Sequence, residues 1–202
     1  EDQTMPRELF ELRVQASERF ELALSIDNAA LADVYCLRFP VDLILMDVIT
    51  RDGENGLDAA ARIKRAFPQI KIIIVTSMPE CSYLKRAKEI GVESFWYKEE
   101  QRESLLDVME RTMNGESVYP GASPELTLGM ASSCQFTERE LDILREITSG
   151  DTNQEIADRL NMSVATVKTH ILNMLEKTGF HNRTELAVRA RESGLVILNR
   201  RN

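Results

Sequence analysis

Long apolar runs are missing from this chain of 202 residues. None approaches the ~20 residues a helix needs to cross a bilayer, and nothing near the start reads as a secretory leader. Cysteine is scarce: Cys36, Cys81 and Cys134 are odd in number and far apart. They read as reduced thiols, which excludes a disulfide-stapled fold and points to a cytosolic home. His170 and His181 are distant from each other and from the cysteines, so a zinc site is not expected. A basic excess is lacking too, since the formal net charge is −8. That argues against non-specific polyanion binding by the whole chain. The acid is uneven, however: residues 1–115 carry 21 acidic and 15 basic side chains, while residues 135–202 hold ten of each. A nucleic-acid footprint would need only local clustering in that second part.

What is present falls into two patterns of different period. FELALS (Phe20–Ser25), DLILMD (Asp42–Asp47), IKIIIVTS (Ile70–Ser77) and ESFWY (Glu93–Tyr97) are strand-like in length and in β-branched or aromatic content. Helical patterns lie between and after them, at about 28–39, 56–67, 80–90 and 100–114, with another in PRELFELRVQASE near the start. Apolar strands alternating with helices predict an α/β doubly wound parallel sheet covered on both faces. Such a sheet wants an apolar strand just before Glu1-Asp2, and none is given. The expectation is a five-stranded sheet whose first strand is missing from the given sequence.

Residues 116–134, ESVYPGASPELTLGMASSC, break the alternation with two prolines, two glycines and several serines, and predict a linker with at most one short helical turn. From Phe136 onward only helical patterns remain, at about 138–149, 153–160, 164–178 and 183–193. Thr137, Thr152/Asn153, Ser163 and Asn182 supply starts, and Gly150, Gly179 and Gly194 supply stops. TERE at Thr137–Glu140 fits a capping box. The division expected is therefore 1–115, a linker 116–134, and 135–202.

Ligands of a parallel α/β sheet bind outside the carboxyl ends of its strands. Asp47 ends one strand, Thr76-Ser77 end the next, Lys98 follows the last, and Glu1-Asp2 would end the missing one. A single aspartate at a strand end is more often structural than chemical, and a lone threonine or lysine says little. Their joint occurrence in this order says more. Converging carboxylates repel unless a cation intervenes, and an oxygen-only cluster suits Mg²⁺. With a lysine and a hydroxyl beside the ion, Asp47 becomes a candidate in-line nucleophile toward a phosphoryl group. An aspartyl-nucleophile phosphatase is the competing enzyme class, opposed by the lack of a second acid in a DxD arrangement after Asp47.

This arrangement resembles the receiver domain of two-component response regulators, a CheY- or flavodoxin-like fold, over residues 1–115. The resemblance implies that Glu1 and Asp2 hold Mg²⁺ together with Asp47, the phosphoacceptor, and the backbone carbonyl of Ile49. It implies Thr76 as the switch hydroxyl, Lys98 as the phosphate-pairing lysine and Phe95 as the switch aromatic. Arg51 stands where the family usually has proline, the loop ITRDGENG is one residue longer than usual, and Glu99 replaces a common proline. Trp96 is expected in surface or interface packing, and Cys36 and Cys81 as inert thiols.

In the second part, Ile156, Ala157 and Leu160 form the apolar side of one short helix. Val164, Val167, Ile171 and Leu175 form that of the next, across an Asn161-Met162-Ser163 turn. This spacing leaves Ala165, Thr166, Lys168, Thr169, Leu172 and Asn173 facing outward, with Lys168 able to reach a phosphate or guanine and Thr169 or Asn173 a base edge. Thr152 and Asn153, with the amides that follow, form a candidate phosphate anchor. FTERELDIL, NQEIADRL, VKTHI and NRTEL closely resemble the LuxR-type four-helix DNA-binding domain. That resemblance implies recognition by helix 164–178 and a dimer contact on helix 183–193, with Leu186, Val188 and Ala190 as contact residues. His170 is expected as a packing or capping residue, and His181 in a loop. Lys177, Arg183, Arg189 and Arg191 either touch phosphate or solubilise the surface. The bland alternative is a helical bundle serving protein contacts only.

Receiver, linker and LuxR-type domain in this order resemble a NarL/FixJ-type response regulator. The resemblance implies a cytoplasmic, phosphorylation-controlled, DNA-binding transcription regulator that is not a classical enzyme. Its partners would be a sensor histidine kinase, a double-stranded DNA operator and a second copy, with no membrane. The alternative is an atypical member whose receiver serves dimerisation without phosphorylation and which binds DNA constitutively.

Overall fold

The computed structural model describes residues 1–51, 55–78, 81–98, 104–121 and 125–196. Glu99 and part of the ITRDGENG loop, along with the side chain of Cys81, lie outside the described set. The chain divides into two units, the first holding most of residues 1–121 and the second most of those beyond.

The first unit runs α1 (Thr4–Gln15), α2 (Ala32–Cys36), β1 (Leu43–Asp47), α3 (Gly56–Ala66), β2 (Lys71–Thr76), α4 (Cys81–Ile90), β3 (Ser94–Tyr97) and α5 (Leu105–Met113). Its strands are parallel in the order β1-β2-β3, with Asp47 beside Val75 and Thr76 beside Tyr97. Every residue from Ile72 to Thr76 is buried, as a strand covered on both faces requires. On one face Ile73, Val75 and Trp96 pack with Val14 of α1 and with Leu105, Val108 and Met109 of α5. Helix α3 packs against β1 and β2. Side chains cap α3 and α5, where Asn55 accepts from the Leu57 amide and Ser104 from the Asp107 amide.

Three expectations change in this unit. The predicted strand Phe20–Ser25 does not form, and the sheet among the described residues has three strands, not five. A strand needs a neighbour for its backbone groups. Among the described residues no strand pairs with Phe20–Ser25, and Leu22 and Leu24 stay exposed, so neither its backbone groups nor its apolar side chains gain a partner. Phe10, Val14, Phe20, Leu22, Leu43 and Leu45 are among the residues that line a cavity of about 840 Å³. Helix 28–39 shrinks to Ala32–Cys36. Trp96 is 7 % exposed and belongs to the core, where the sheet pleat turns it onto the α5 face.

The second unit holds a hairpin, β4 (Thr127–Leu128) with β5 (Ala131–Ser132), a 3₁₀ turn at Ser133–Gln135, and α6 (Glu138–Thr148), α7 (Asn153–Arg159), α8 (Val164–Thr178) and α9 (Arg183–Glu192). All four anticipated start signals cap their helices, Thr137 and Thr152 through full capping boxes with Glu140 and Glu155. Ile143, Leu144, Ile156, Val167, Met174 and Leu186 meet in one core. Burying each such side chain contributes about 1.5–3 kcal/mol. The hairpin was not legible as strands, because two-residue strands carry no period. It is held by the Met130 amide, which donates to the Thr178 carbonyl at 3.0 Å, and Leu128 and Ala131 join the core. Gly129, at φ +62°, is required there: a Cβ would lie 2.2 Å from that carbonyl.

Cys36 is a free thiol, but Cys134 is disulfide-bonded. The expectation of reduced thiols therefore fails at Cys134, and with it the support that cysteine usage lent to a reducing compartment.

Candidate functional site

The parallel register brings the carboxyl ends of β1, β2 and β3 to one rim, so Asp47, Thr76 and Lys98 are neighbours in space. Glu1 and Asp2 complete the cluster. One carboxylate oxygen from each of Glu1, Asp2 and Asp47 lies within 4.8 Å of the others. Lys98 donates from Nζ to Glu1 Oε2 at 2.5 Å and to Asp47 Oδ2 at 2.8 Å, and its ammonium stands 5.9 Å from the Phe10 ring centre. The other oxygen, Asp47 Oδ1, accepts from the Val48 amide at 2.7 Å. Arg7 donates to the Glu1 carbonyl, not to its carboxylate.

Asp47 is 6 % exposed, and its charge is poorly matched. Burial pushes its pKa up to about 6, Glu1 pushes the same way, and Lys98 opposes. Asp2 is raised by burial and then by Glu1. Burial would lower the Lys98 pKa, yet the Asp47 and Glu1 carboxylates raise it above the usual lysine value. Three carboxylates face one lysine, so the cluster lacks positive charge. A hard divalent cation with oxygen ligands fits that deficit and that donor set.

Phe95 is 1 % exposed, with its ring 5.0 Å from that of Tyr97. Thr76 is fully buried, and its carbonyl accepts from the Lys98 amide. Ile49 bridges to Asn55. Gly56 was missed from sequence. Its amide donates to the Val48 carbonyl, and an added Cβ would sit 1.8 Å from the Asp47 carbonyl oxygen. Only glycine lets α3 start this close to the end of β1, and a Gly before a helical run is too common a signal to find it by. Arg51 pairs with Asp27 at 2.6 Å, and its amide donates to the Asp27 carbonyl. This is what stands in place of the usual proline.

In the second unit Ala165, Thr166, Lys168, Thr169, Leu172 and Asn173 are all exposed on α8, and Leu172 is 65 % exposed. Val167, Ile171 and Met174 face the core. The Thr169 hydroxyl donates to the Ala165 carbonyl, leaving lone pairs outward. Thr152 is engaged through both groups of its capping box, its hydroxyl accepting from the Glu155 amide and its own amide donating to Glu155 Oε2 at 2.7 Å, and Asn153 Oδ1 accepts from Arg183. Lys177 bonds Glu140, and Arg183 bonds Asn153 and the Asp151 carbonyl, so these two cations are structural. Leu186 and Ala190 are fully buried in the core, which overturns them as dimer contacts; among the three named, only Val188, 49 % exposed, faces outward. The buried stripe of α9 runs through 186 and 190, and period 3.6 turns 188 away.

Comparisons with known proteins agree with both halves. Residues 1–110 match the family model of the response regulator receiver domain, and residues 134–190 match that of bacterial regulatory proteins of the luxR family. Response regulator protein VraR of Staphylococcus aureus is 36 % identical over 163 residues, covering 77 % of this chain and 76 % of VraR. The chain is a two-component response regulator of the NarL/FixJ type. As such it is a DNA-binding transcriptional regulator, not a classical enzyme. This response regulator also shares its fold with RcsB from Salmonella enterica serovar Typhimurium bound to promoter rprA (TM-score 0.58, 16 % identical, 95 % of each chain). Response regulator ChrA of a heme-sensing two-component system is similar as well (TM-score 0.51, 20 % identical, 97 % of this chain and 96 % of that one). Receiver domains in general bind Mg²⁺ for phosphorylation. Among the described residues no helix of this regulator is long and apolar enough to cross a membrane.

Proposed function

We propose that this regulator is controlled by phosphorylation of Asp47. The observation that carries the proposal is the close approach of three carboxylates and Lys98 at one sheet rim. A sensor histidine kinase is the donor. The Asp47 carboxylate attacks the phosphorus of a phosphohistidine, the P–N bond breaks, an acyl phosphate forms, and the imidazole leaves as the neutral base after taking a proton. Glu1, Asp2, Asp47 and the Ile49 carbonyl would hold Mg²⁺, which when bound neutralises charge on the phosphoryl oxygens. Lys98 pairs with the phosphoryl group and Thr76 hydrogen-bonds it. Phe95 responds to the movement of Thr76.

Residues 1–115 serve as receiver and 135–202 as DNA-binding domain, joined through 116–134. Helix α8 reads the major groove with Ala165, Thr166, Lys168, Thr169, Leu172 and Asn173, and the start of α7 at Thr152 and Asn153 meets the backbone. A homodimer contacts itself through the outward face of α9 around Val188. The protein works in the cytoplasm, where its operator is.

The test is acyl-phosphate formation from a small-molecule phosphodonor with Mg²⁺. The parent should incorporate about one phosphoryl group per chain, labile to hydroxylamine, and Asp47→Asn none. Equal labelling of the two proteins would overturn the assignment.

A further inference from the structure

The chain beyond α5 does not leave the receiver unit at once. Gly115, at φ +92°, reverses it, and the Glu116 amide donates to the Arg111 carbonyl while its carboxylate takes the Arg111 guanidinium at 2.8 Å. The next residues run along the outer edge of β3, where a row of backbone groups would otherwise be unpaired. The Phe95 amide donates to the Val118 carbonyl at 2.8 Å, and the Val118 amide donates to Ser94 Oγ at 3.1 Å. Ser94 is itself fixed by the Thr112 hydroxyl at 2.6 Å.

The two side chains that follow alternate like those of a strand. Val118 packs into the cluster that holds Trp96. Tyr119 turns to the other face, its ring centre 6.4 Å from that of Phe95. There its hydroxyl donates to the Val92 carbonyl at 2.7 Å, and the Lys88 ammonium stands 5.0 Å from its ring centre. Burial and then Glu93 push the phenol well above its ordinary range, so it stays a neutral donor at every pH the protein meets. Tyr119 thus touches Phe95 while belonging to the segment that leads out of the receiver.

We propose that Val118–Tyr119 form a strap on the edge of β3 whose attachment reports the position of the Phe95 ring. With Phe95 as found, Tyr119 lies against it and the two backbone–edge hydrogen bonds stay closed. A change in the Phe95 ring removes the surface that Tyr119 packs on, strains its bond to Val92, and opens the Phe95–Val118 pair. The linker is then freed at its root. The device rests on the proposed role of Phe95 as the aromatic that responds to Asp47.

Amide hydrogen exchange of the full chain reads it, because the Phe95 and Val118 amides are themselves the donors. With Mg²⁺ alone both should be protected. Addition of beryllofluoride, a phosphoryl analogue, should speed exchange at Val118 and Phe95 at least fivefold while leaving Ile72–Val75 unchanged, the scale of one lost hydrogen bond. Tyr119→Phe, which removes only the hydroxyl, should give about fivefold faster exchange at Val118 without the analogue. Phe95→Leu should do the same. Changed exchange at the Val48 amide, which bonds Asp47, reports whether the analogue binds. If Val48 responds and Val118 does not, the strap is refuted and the phosphoacceptor stands. If Val48 does not respond, the phosphoacceptor reading fails, and the two variants still decide the strap: unchanged Val118 exchange in both overturns it.

Discussion

At the scale of single residues, Asp47 carries a cost in the resting protein. Its carboxyl titrates near 6 in the fold, against about 3.9 in an unfolded chain. The folded state therefore binds this proton more tightly than the unfolded one. The stability that goes with it is present below about pH 4 and is lost as pH rises through 6. Asparagine has no such proton to lose. Asp47→Asn should be more stable than the parent at pH 7.5 by about 1–3 kcal/mol, and the difference should vanish toward pH 4. Saturating Mg²⁺ should narrow the gap at neutral pH, because it stabilises only the protein that binds it. Thermal melts of the two proteins across this pH range check the claim, and parallel melting curves at all pH values would contradict it. Glu140 is the opposite case. Burial alone would raise its pKa, but the Lys177 ammonium and the Thr137 amide hold it low, so its contribution is present at neutral pH and fades in acid.

At the scale of elements, α8 has two distinct faces: Val167, Ile171 and Met174 anchor it, and Lys168 is exposed on the other side. If Lys168 meets a phosphate, Lys168→Ala should weaken DNA binding and lower the slope of log affinity against log salt by about 1, with the melting temperature unchanged. An unchanged slope with relaxed sequence preference would instead mark Lys168 as a base reader. The helices of this unit were legible because each begins on a capping side chain, from Thr137 to Asn182, and because α6 and α8 keep one apolar period. The strands β2 and β3 were legible because both faces are buried, which makes a short continuous apolar run, and β1 because LILM is such a run although only its end is fully buried. What failed did so for tertiary reasons. Phe20–Ser25 has strand composition, but among the described residues no strand pairs with it. Leu186 and Ala190 look like surface apolars until the packing of α9 is known. Gly56 is visible only once β1 and α3 are brought together, and Val118 pairs with an edge that sequence does not reveal.

At the scale of the whole molecule, the regulator must couple two sites through populations of states, and coupling is reciprocal. If occupation of Asp47 raises affinity for an operator by some factor, then the operator must raise affinity for the phosphoryl analogue by the same factor. Known couplings of this kind span about 5- to 150-fold. The acidic surplus sharpens the expectation. Residues 1–115 carry the excess of acid and 135–202 none, so added negative charge at Asp47 falls in the half that DNA already disfavours. Electrostatics alone would therefore weaken DNA binding on activation, and any gain must come from a change of conformation or of assembly. The measurement is a double titration with an operator selected in vitro from random duplexes: beryllofluoride with Mg²⁺ in the presence and absence of operator, and operator with and without the analogue. Equal factors above fivefold in both directions, insensitive to salt between about 50 and 200 mM once the common counterion term is removed, are expected. A factor of one in both directions, with the analogue bound at Asp47, would mean that this receiver does not govern the DNA-binding half.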